Sequence, residues 1–536
     1  MRVFSYTLVA LINWTASFQS QPAQSKTAQS QPAQSQPAQS QERQTAPEAG
    51  KYFAIQVVDA ETGRGVPLVE LRTVSNVRYY TDSAGFVAID DPAEMGRSIF
   101  FSISSHGYEY PADGLGSRGA RLDVKPGGFA RLQIKRINIA ERLYRITGEG
   151  IYEDSVRLGK SVPIEQPLLN AQVTGQDGAM TAVYDNKIFC FWGDTGRQSY
   201  PLGHFGTAGA TAELAGNGGL DPSVGINFHY FTRSDGFSRP MTPEAPGKLR
   251  WIDALSVLAD GGHDRLVCRV SCMKSLDECK KRQLLIYNDS KNIFETLCEI
   301  PVDAPLQPVN HTLLVKIDGT EYLYCGEDYP NIRMKADLSH FQNLSEYEGF
   351  TCLKPGSRYE KSGVNLDRDS SGKLIWGWKQ DTPPLPRRQM AELVSAGKIK
   401  SNEQWFLPVD VQTGNPISMA ASSVCYNEFR HKYVGICSQF GGGPSNLGEI
   451  WYSEAQKPEG PWQYARKIVT HDHYSFYNPV HDAYLDQHGG RLIYFEGTYS
   501  TTFSRDGDPT PRYDYNQIMY RLDLSDRRLD LSDRSP

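Results

Sequence analysis

Between residues 142 and 524 the chain repeats one local pattern, two short apolar strands joined by a tight turn of Asp, Asn or Gly. The clearest case sets 180–184 against 187–192 across Asp185-Asn186, and another sets 313–317 against 321–325 across Asp318-Gly319. Similar pairs are 254–258 with 266–270, Leu366 with 374–378, 424–426 with 433–437, and 483–485 with 492–495 across Gly489-Gly490. Asp, Asn and Gly tolerate the positive φ that two-residue hairpin turns require, so the turn chemistry agrees with the strand pattern. Hairpins that resemble one another, spaced roughly 50 to 75 residues apart, predict radial repetition and hence a β-propeller. A large sandwich has no reason to repeat. The hairpin count gives six blades, and a blade shared between the chain ends would change it, so five or six are expected. The stretch 516–524 reads as a strand suited to closing the ring. One helix is expected at 387–396, stopped by Gly397, and a flexible tail at 525–536.

At 536 residues the chain is too long for a single core. Strand patterns at 53–58, 66–74 and 77–80, separated by Asp/Gly turns, predict a small β-sandwich of the Ig/transthyretin kind over 51–137, ahead of the 142–524 propeller. The turn Asp59 to Gly63 (D-x-x-T-G), then Gly65-Val66-Pro67, then Thr81-Asp82-Ser83-Ala84-Gly85-Phe86 resemble the carboxypeptidase regulatory-like domains. That resemblance implies a structural or adhesive module without chemistry of its own.

The first residues carry a positive end at Arg2 and a mostly apolar run at 3–18, interrupted near Asn13 and Thr15. This reads as a signal peptide over 1–20, too short and broken for a stable membrane span. A QPAQS repeat of period five follows, with nothing to bury, so 21–50 is expected to be a flexible linker. Together they predict a secreted or periplasmic protein. The net charge of −6 and the lack of any basic run longer than a few residues disfavour a nucleic-acid partner, and none is expected. The nine cysteines lie between 190 and 437 without C-x-x-C spacing. Cys268, Cys272 and Cys279 fit either a local disulfide or buried free thiols.

Chemistry is expected where inner strands end on a shared face. Asp177 precedes the first hairpin and Asp194 ends it, in Phe191-Trp192-Gly193-Asp194-Thr195. Equivalent ends carry Glu327 and Asp328, Asp381, Gln439 and Glu496. Carboxyl groups among aromatic residues suit glycoside hydrolysis, in which one carboxylic acid protonates the leaving oxygen and a carboxylate attacks or activates water. Each of these residues alone also reads as a turn cap. His471 and His473, with His481, could hold a metal, or could be ordinary loop histidines. Neither a G-x-S-x-G elbow nor a phosphate loop is present, since no helix signal follows Gly441-Gly442-Gly443.

The segment around Asp177 and Gly193-Asp194-Thr195 resembles the opening of propeller glycoside hydrolases of the endo-D-arabinofuranase type. So do Gly448-Glu449-Ile450-Trp451, Gly460-Pro461-Trp462, Tyr477-Asn478-Pro479 and Tyr494-Phe495-Glu496-Gly497-Thr498. The resemblance implies catalysis by the opening acidic pair, Asp177 and Asp194, and a five-bladed ring. The insertion at 382–405 departs from the simpler members of the family and bears on the substrate. The expected catalytic set is Asp177, Asp194, Glu327 and Glu496, acting on a polysaccharide or oligosaccharide. Trp192, Arg333, Trp378, Gln439, Tyr477, Asn478 and His481 are expected to bind the sugar. No cofactor is expected beyond an ion near His481. Two other readings stay open: a carbohydrate-binding propeller without catalysis, and a polysaccharide lyase using Tyr477 and His481.

Overall fold

The computed structural model describes residues 50–242, 249–275, 278–360, 363–504 and 507–532. The expected leader, and the linker up to residue 49, lie outside them. The described chain is nearly all β.

Residues 53–136 form two four-stranded sheets around one core. Phe53–Asp59 runs at the centre of one, between Phe86–Ile89 and Phe129–Arg136. Glu70–Thr73 and Arg97–Ser104 lie at the centre of the other. Ile55, Val57, Leu71, Val87, Phe101 and Ile134 meet between them. Alternate residues of each strand therefore face the same interior, as the period of two requires.

Five antiparallel sheets follow in chain order. The first holds Met180–Tyr184, Lys187–Trp192, Ala208–Glu213 and His229–Tyr230. The second is a four-strand meander from Leu249–Asp260 to Ile293–Ile300. The third begins with Leu313–Ile317 and Thr320–Cys325 and ends with Gly377–Gln380. The fourth runs from Met419–Asn427 through Lys432–Gln439 and Ile450–Ala455 to Tyr464–Val469, with Val409–Asp410 added on its edge. The fifth contains Ser475–His481, Leu492–Ser500 and Asn516–Asp523, and its last strand is Glu141–Arg145 from the start of the region.

Hydrophobic clusters join these sheets in a cycle. Phe189 and Phe191 of the first pack with Leu266 and Leu285 of the second. Val267 and Leu284 pack with Leu323 and Met334 of the third. Tyr329, just beyond the third sheet's second strand, packs with Cys437 and Trp451 of the fourth. Val434 and Tyr452 pack with Phe495 and Tyr520 of the fifth, and Tyr494 and Met519 return to Cys190 and Trp192 of the first. Each sheet thus buries both faces against its two neighbours, which is how short sheets acquire a shared core.

Two sequence expectations are corrected here. The pair around Leu366 and 374–378 founds no sheet of its own, because Gly377–Gln380 adds to the third sheet as its fifth strand. The described part of the expected tail, 525–532, is anchored, since Leu529 is 0% exposed within the cluster of the fourth and fifth sheets. The helix forms at Arg387–Ser395, and Gly397 ends it at φ +66°. All nine cysteines are free thiols, six of them buried, so the local disulfide does not form.

The N-terminal sheets are fastened to the rest. Leu68 joins the cluster of the fourth and fifth sheets. Asp82 is buried and accepts the Ser155 amide at 2.7 Å, and the Arg145 amide donates to Ser83 Oγ at 3.1 Å.

Candidate active site

The first hairpin is longer than its sheet. Upstream of Met180–Tyr184 lies Val173–Gln176, and downstream of Lys187–Trp192 lies Thr195–Arg197. These outer pieces pair in a separate small sheet with Tyr200–His204. One antiparallel ribbon therefore passes between two sheets, with Met180 opposite Phe191 on one side and Gln176 opposite Thr195 on the other. Asp177 and Asp194 sit at this crossing, on opposite strands.

The backbone locks them together. The Gly193 amide donates to the Asp177 carbonyl at 2.7 Å, and the Asp194 amide donates to Asp177 Oδ1 at 2.9 Å. A Cβ on Gly193 would stand 2.5 Å from Asp177 Oδ1, so the close approach needs glycine. Gly178, at φ +56°, donates its amide to Thr498 Oγ1 of the fifth sheet at 3.0 Å. Also from the fifth sheet, the Tyr477 hydroxyl donates to Asp177 Oδ2 at 3.2 Å, and the Tyr515 hydroxyl faces the same carboxylate. From the second sheet, Trp251 Nε1–H donates to Asp194 Oδ1 at 2.7 Å.

Both carboxyl groups are half-buried, and both have raised pKa values. Burial pushes Asp177 up, against the donors from Tyr515, Tyr477 and the Asp194 amide. Burial and then the Asp177 charge push Asp194 up to about 7, with the Trp251 donor opposing. Asp177 meets more donors than Asp194, and these favour its ionised form against the burial that raises it. Paired carboxyl groups with raised pKa values can supply acid and base to one reaction.

The structure gathers some of the expected residues and disperses others. Tyr477 and Asn478 belong to the pair's surroundings. Tyr477 touches Asp177, and exposed Asn478 lies beside Gly178. Glu327 is exposed, and its carbonyl accepts Asn310 Nδ2 at 3.0 Å. That places its segment with Asp253 and Ser422, which Asn310 also joins through its amide at 2.9 Å and Nδ2 at 3.0 Å. The neighbouring Asp328 is pushed up to about 7 by burial.

Glu496, expected at a strand end, lies within Leu492–Ser500 in the interior. It is 1% exposed, and burial followed by the Asp482 charge raises its pKa well above the usual carboxylate range. Trp192 offers no face to a sugar, being 1% exposed and packed on Phe228 and Tyr230. Arg333 and Trp378 do meet, the guanidinium 4.4 Å from the ring centre, but on the third and fifth strands of the third sheet. There Glu348 pairs Arg333 at 2.7 Å. Gln439 is engaged by Trp451 Nε1–H at 2.9 Å.

His481 is buried with Nε2 3.0 Å from Asp486 Oδ1. Burial opposes its charge, but the Asp486 carboxylate outweighs this and raises its pKa. His471 is buried against Phe476 while His473 is exposed, so the H-x-H pair does not converge. Among the described residues no three His, Cys, Asp or Glu side chains gather as a metal site.

Trp251, Tyr515, Asp253 and Asn310 were not singled out from sequence. The string Trp251-Ile252-Asp253 offered a signal, since alternation puts the indole and the carboxylate on one strand face.

The sequence matches no known protein-family profile. It matches no curated protein. Solved structures similar to it include an exo-1,5-alpha-L-arabinanase from a bovine ruminal metagenomic library, 11% identical, covering 66% of this chain and 94% of that one at TM-score 0.32. A GH43_1 enzyme from Xanthomonas citri complexed with xylotriose is 11% identical, covering 66% and 88% at TM-score 0.31. An exo-beta-1,3-galactanase from Phanerochaete chrysosporium with beta-1,3-galactotriose is 8% identical, covering 72% and 65% at TM-score 0.36. Likeness of this degree assigns no activity.

Proposed function

We propose that this protein is a glycoside hydrolase that cleaves a polysaccharide, with Asp194 as general acid and Asp177 as its ionised partner. The observation that carries the reading is the crossing itself. Two carboxyl groups are fixed on opposing strands, one tied by several donors and the other by a single one. In glycoside cleavage the acid protonates the departing glycosidic oxygen while the ionised partner serves the opposite role. Tyr477 and Asn478 border the pair and would orient the sugar. The cycle of five sheets supports a five-bladed propeller, with Glu141–Arg145 supplying the outer strand of the last blade. The two N-terminal sheets fit the regulatory-like sandwich. The motif resemblance makes arabinofuranose-containing polymers the first substrates to try.

The test is oligosaccharide release from arabinans, arabinogalactans and other polysaccharides by wild type and Asp194→Asn. We expect release by the wild type and a fall of at least about 100-fold in the variant. Undiminished activity in Asp194→Asn would refute the pair. Binding without turnover by both proteins would leave a recognition propeller instead.

A further inference from the structure

We infer that Trp251 is a positioning residue that binds Asp194 through Oδ1 and leaves Oδ2 to carry the acidic proton. The inference rests on the proposed glycosidase reading and deepens it. An indole N–H can only donate, so the oxygen it meets must accept. Trp251 Nε1 lies 2.7 Å from Asp194 Oδ1, and among the described residues no other hydrogen bond reaches that carboxyl. In a protonated carboxyl group one oxygen is the carbonyl and the other carries hydrogen. The carbonyl oxygen is the better acceptor, so the indole at Oδ1 favours the tautomer with its hydrogen on Oδ2.

The tether also crosses sheets. Asp194 ends a strand of the first sheet, while Trp251 lies on Leu249–Asp260 of the second. The side chain is therefore aimed by a residue outside its own sheet. The titratable groups facing Asp194 are Asp177, Tyr477 and Tyr515. Burial pushes both tyrosines well above their ordinary value, so they stay neutral while the acidic pair titrates.

In the cleavage step the Oδ2–H bond breaks and its proton joins the glycosidic oxygen, which keeps the electron pair of the broken C–O bond. Water adds its oxygen to the anomeric carbon and yields a proton to Asp177. Asp194 is left as a carboxylate whose Oδ1 still accepts the indole N–H, so the tether survives the step and Trp251 touches no reacting atom.

The experiment uses the full chain labelled with 15N-tryptophan. The Trp251 indole resonance, identified by its loss in Trp251→Phe, should shift with pH with a midpoint near that of Asp194, about 7. The shift should vanish in Asp194→Asn, which keeps the indole in place. A resonance flat from pH 5 to 9 in the wild type overturns the inference whether or not any polysaccharide is cleaved.

On a cleaved substrate, Trp251→Phe should move the alkaline limb of kcat upward, because the lost donor had favoured the ionised form. The expected fall in kcat is about 10-fold or more, with KM changed less. A fall in kcat with the limb unmoved would reduce Trp251 to packing and overturn the inference. A titrating indole with no substrate cleaved would sink the glycosidase reading while leaving the tether established.

Discussion

At the scale of single residues, the Asp177–Asp194 crossing has a consequence for stability. Asp194 has a folded pKa of about 7 against an ordinary value of 3.8. A carboxyl raised on folding contributes its stability below the unfolded pKa and loses it as pH climbs through the folded one. Between pH 4 and 7 the wild type should therefore lose ground to Asp194→Asn by about 1.4 kcal/mol per pH unit, less whatever Asp177 takes up of the shared proton. Thermal melts of both proteins at pH 5 and 7 measure this, and a constant difference in Tm would contradict it. Asp177 and Asp194 were legible in the sequence because they flank a strong hairpin. Their partners Trp251 and Tyr515 were not, since each arrives from a different sheet and only the assembled fold sets that meeting. Trp192 was misread for a related reason. Its place beside Gly193-Asp194 suggested a sugar platform, but the whole strand Lys187–Trp192 is buried beyond its first residue.

At the scale of elements, turn chemistry was the reliable signal. Asp185 and Asn186 adopt φ +48° and +58°, and Asp318-Gly319 adopts +47° and +84°, as two-residue hairpins need. Where long connections intervened, the pattern misled. The apolar stretch 483–485 read as a strand but forms a 3-10 turn, and the true partner of Leu492–Ser500 is Ser475–His481. Short apolar runs look alike in either conformation, so length and spacing could not separate them. The strand Glu141–Arg145 was invisible as a fifth-sheet member, because nothing local ties it to Asn516–Asp523. Its anchor is Arg145, buried, with Nη1 3.0 Å from Asn516 Oδ1, Nη2 3.0 Å from the Glu149 carbonyl, and the guanidinium 3.9 Å from the Tyr513 ring centre. Arg145→Ala leaves those acceptors unmet in the interior, at about 3 to 5 kcal/mol. Urea unfolding should show the lower midpoint, and a loss under 1 kcal/mol would mean the strand is held by its ladder alone.

At the scale of the molecule, the N-terminal sheets and the five-sheet cycle share interior residues. Leu68 belongs to the cluster of the fourth and fifth sheets, and Asp82 and Ser83 bond the segment that leads into the cycle. Units that share a core this way unfold together, so calorimetry of the full chain should show one transition. Two resolved transitions would mean that the contact is peripheral to stability.

The strand that completes the fifth sheet has a further consequence, for biosynthesis. Arg145 and its partner Asn516 are 371 residues apart in the chain. During vectorial synthesis the early strand waits, its edge unpaired, until almost the whole polypeptide has emerged. The nascent chain therefore carries an open seam for most of its translation, and aggregation through that seam competes with maturation until the last ribbon arrives.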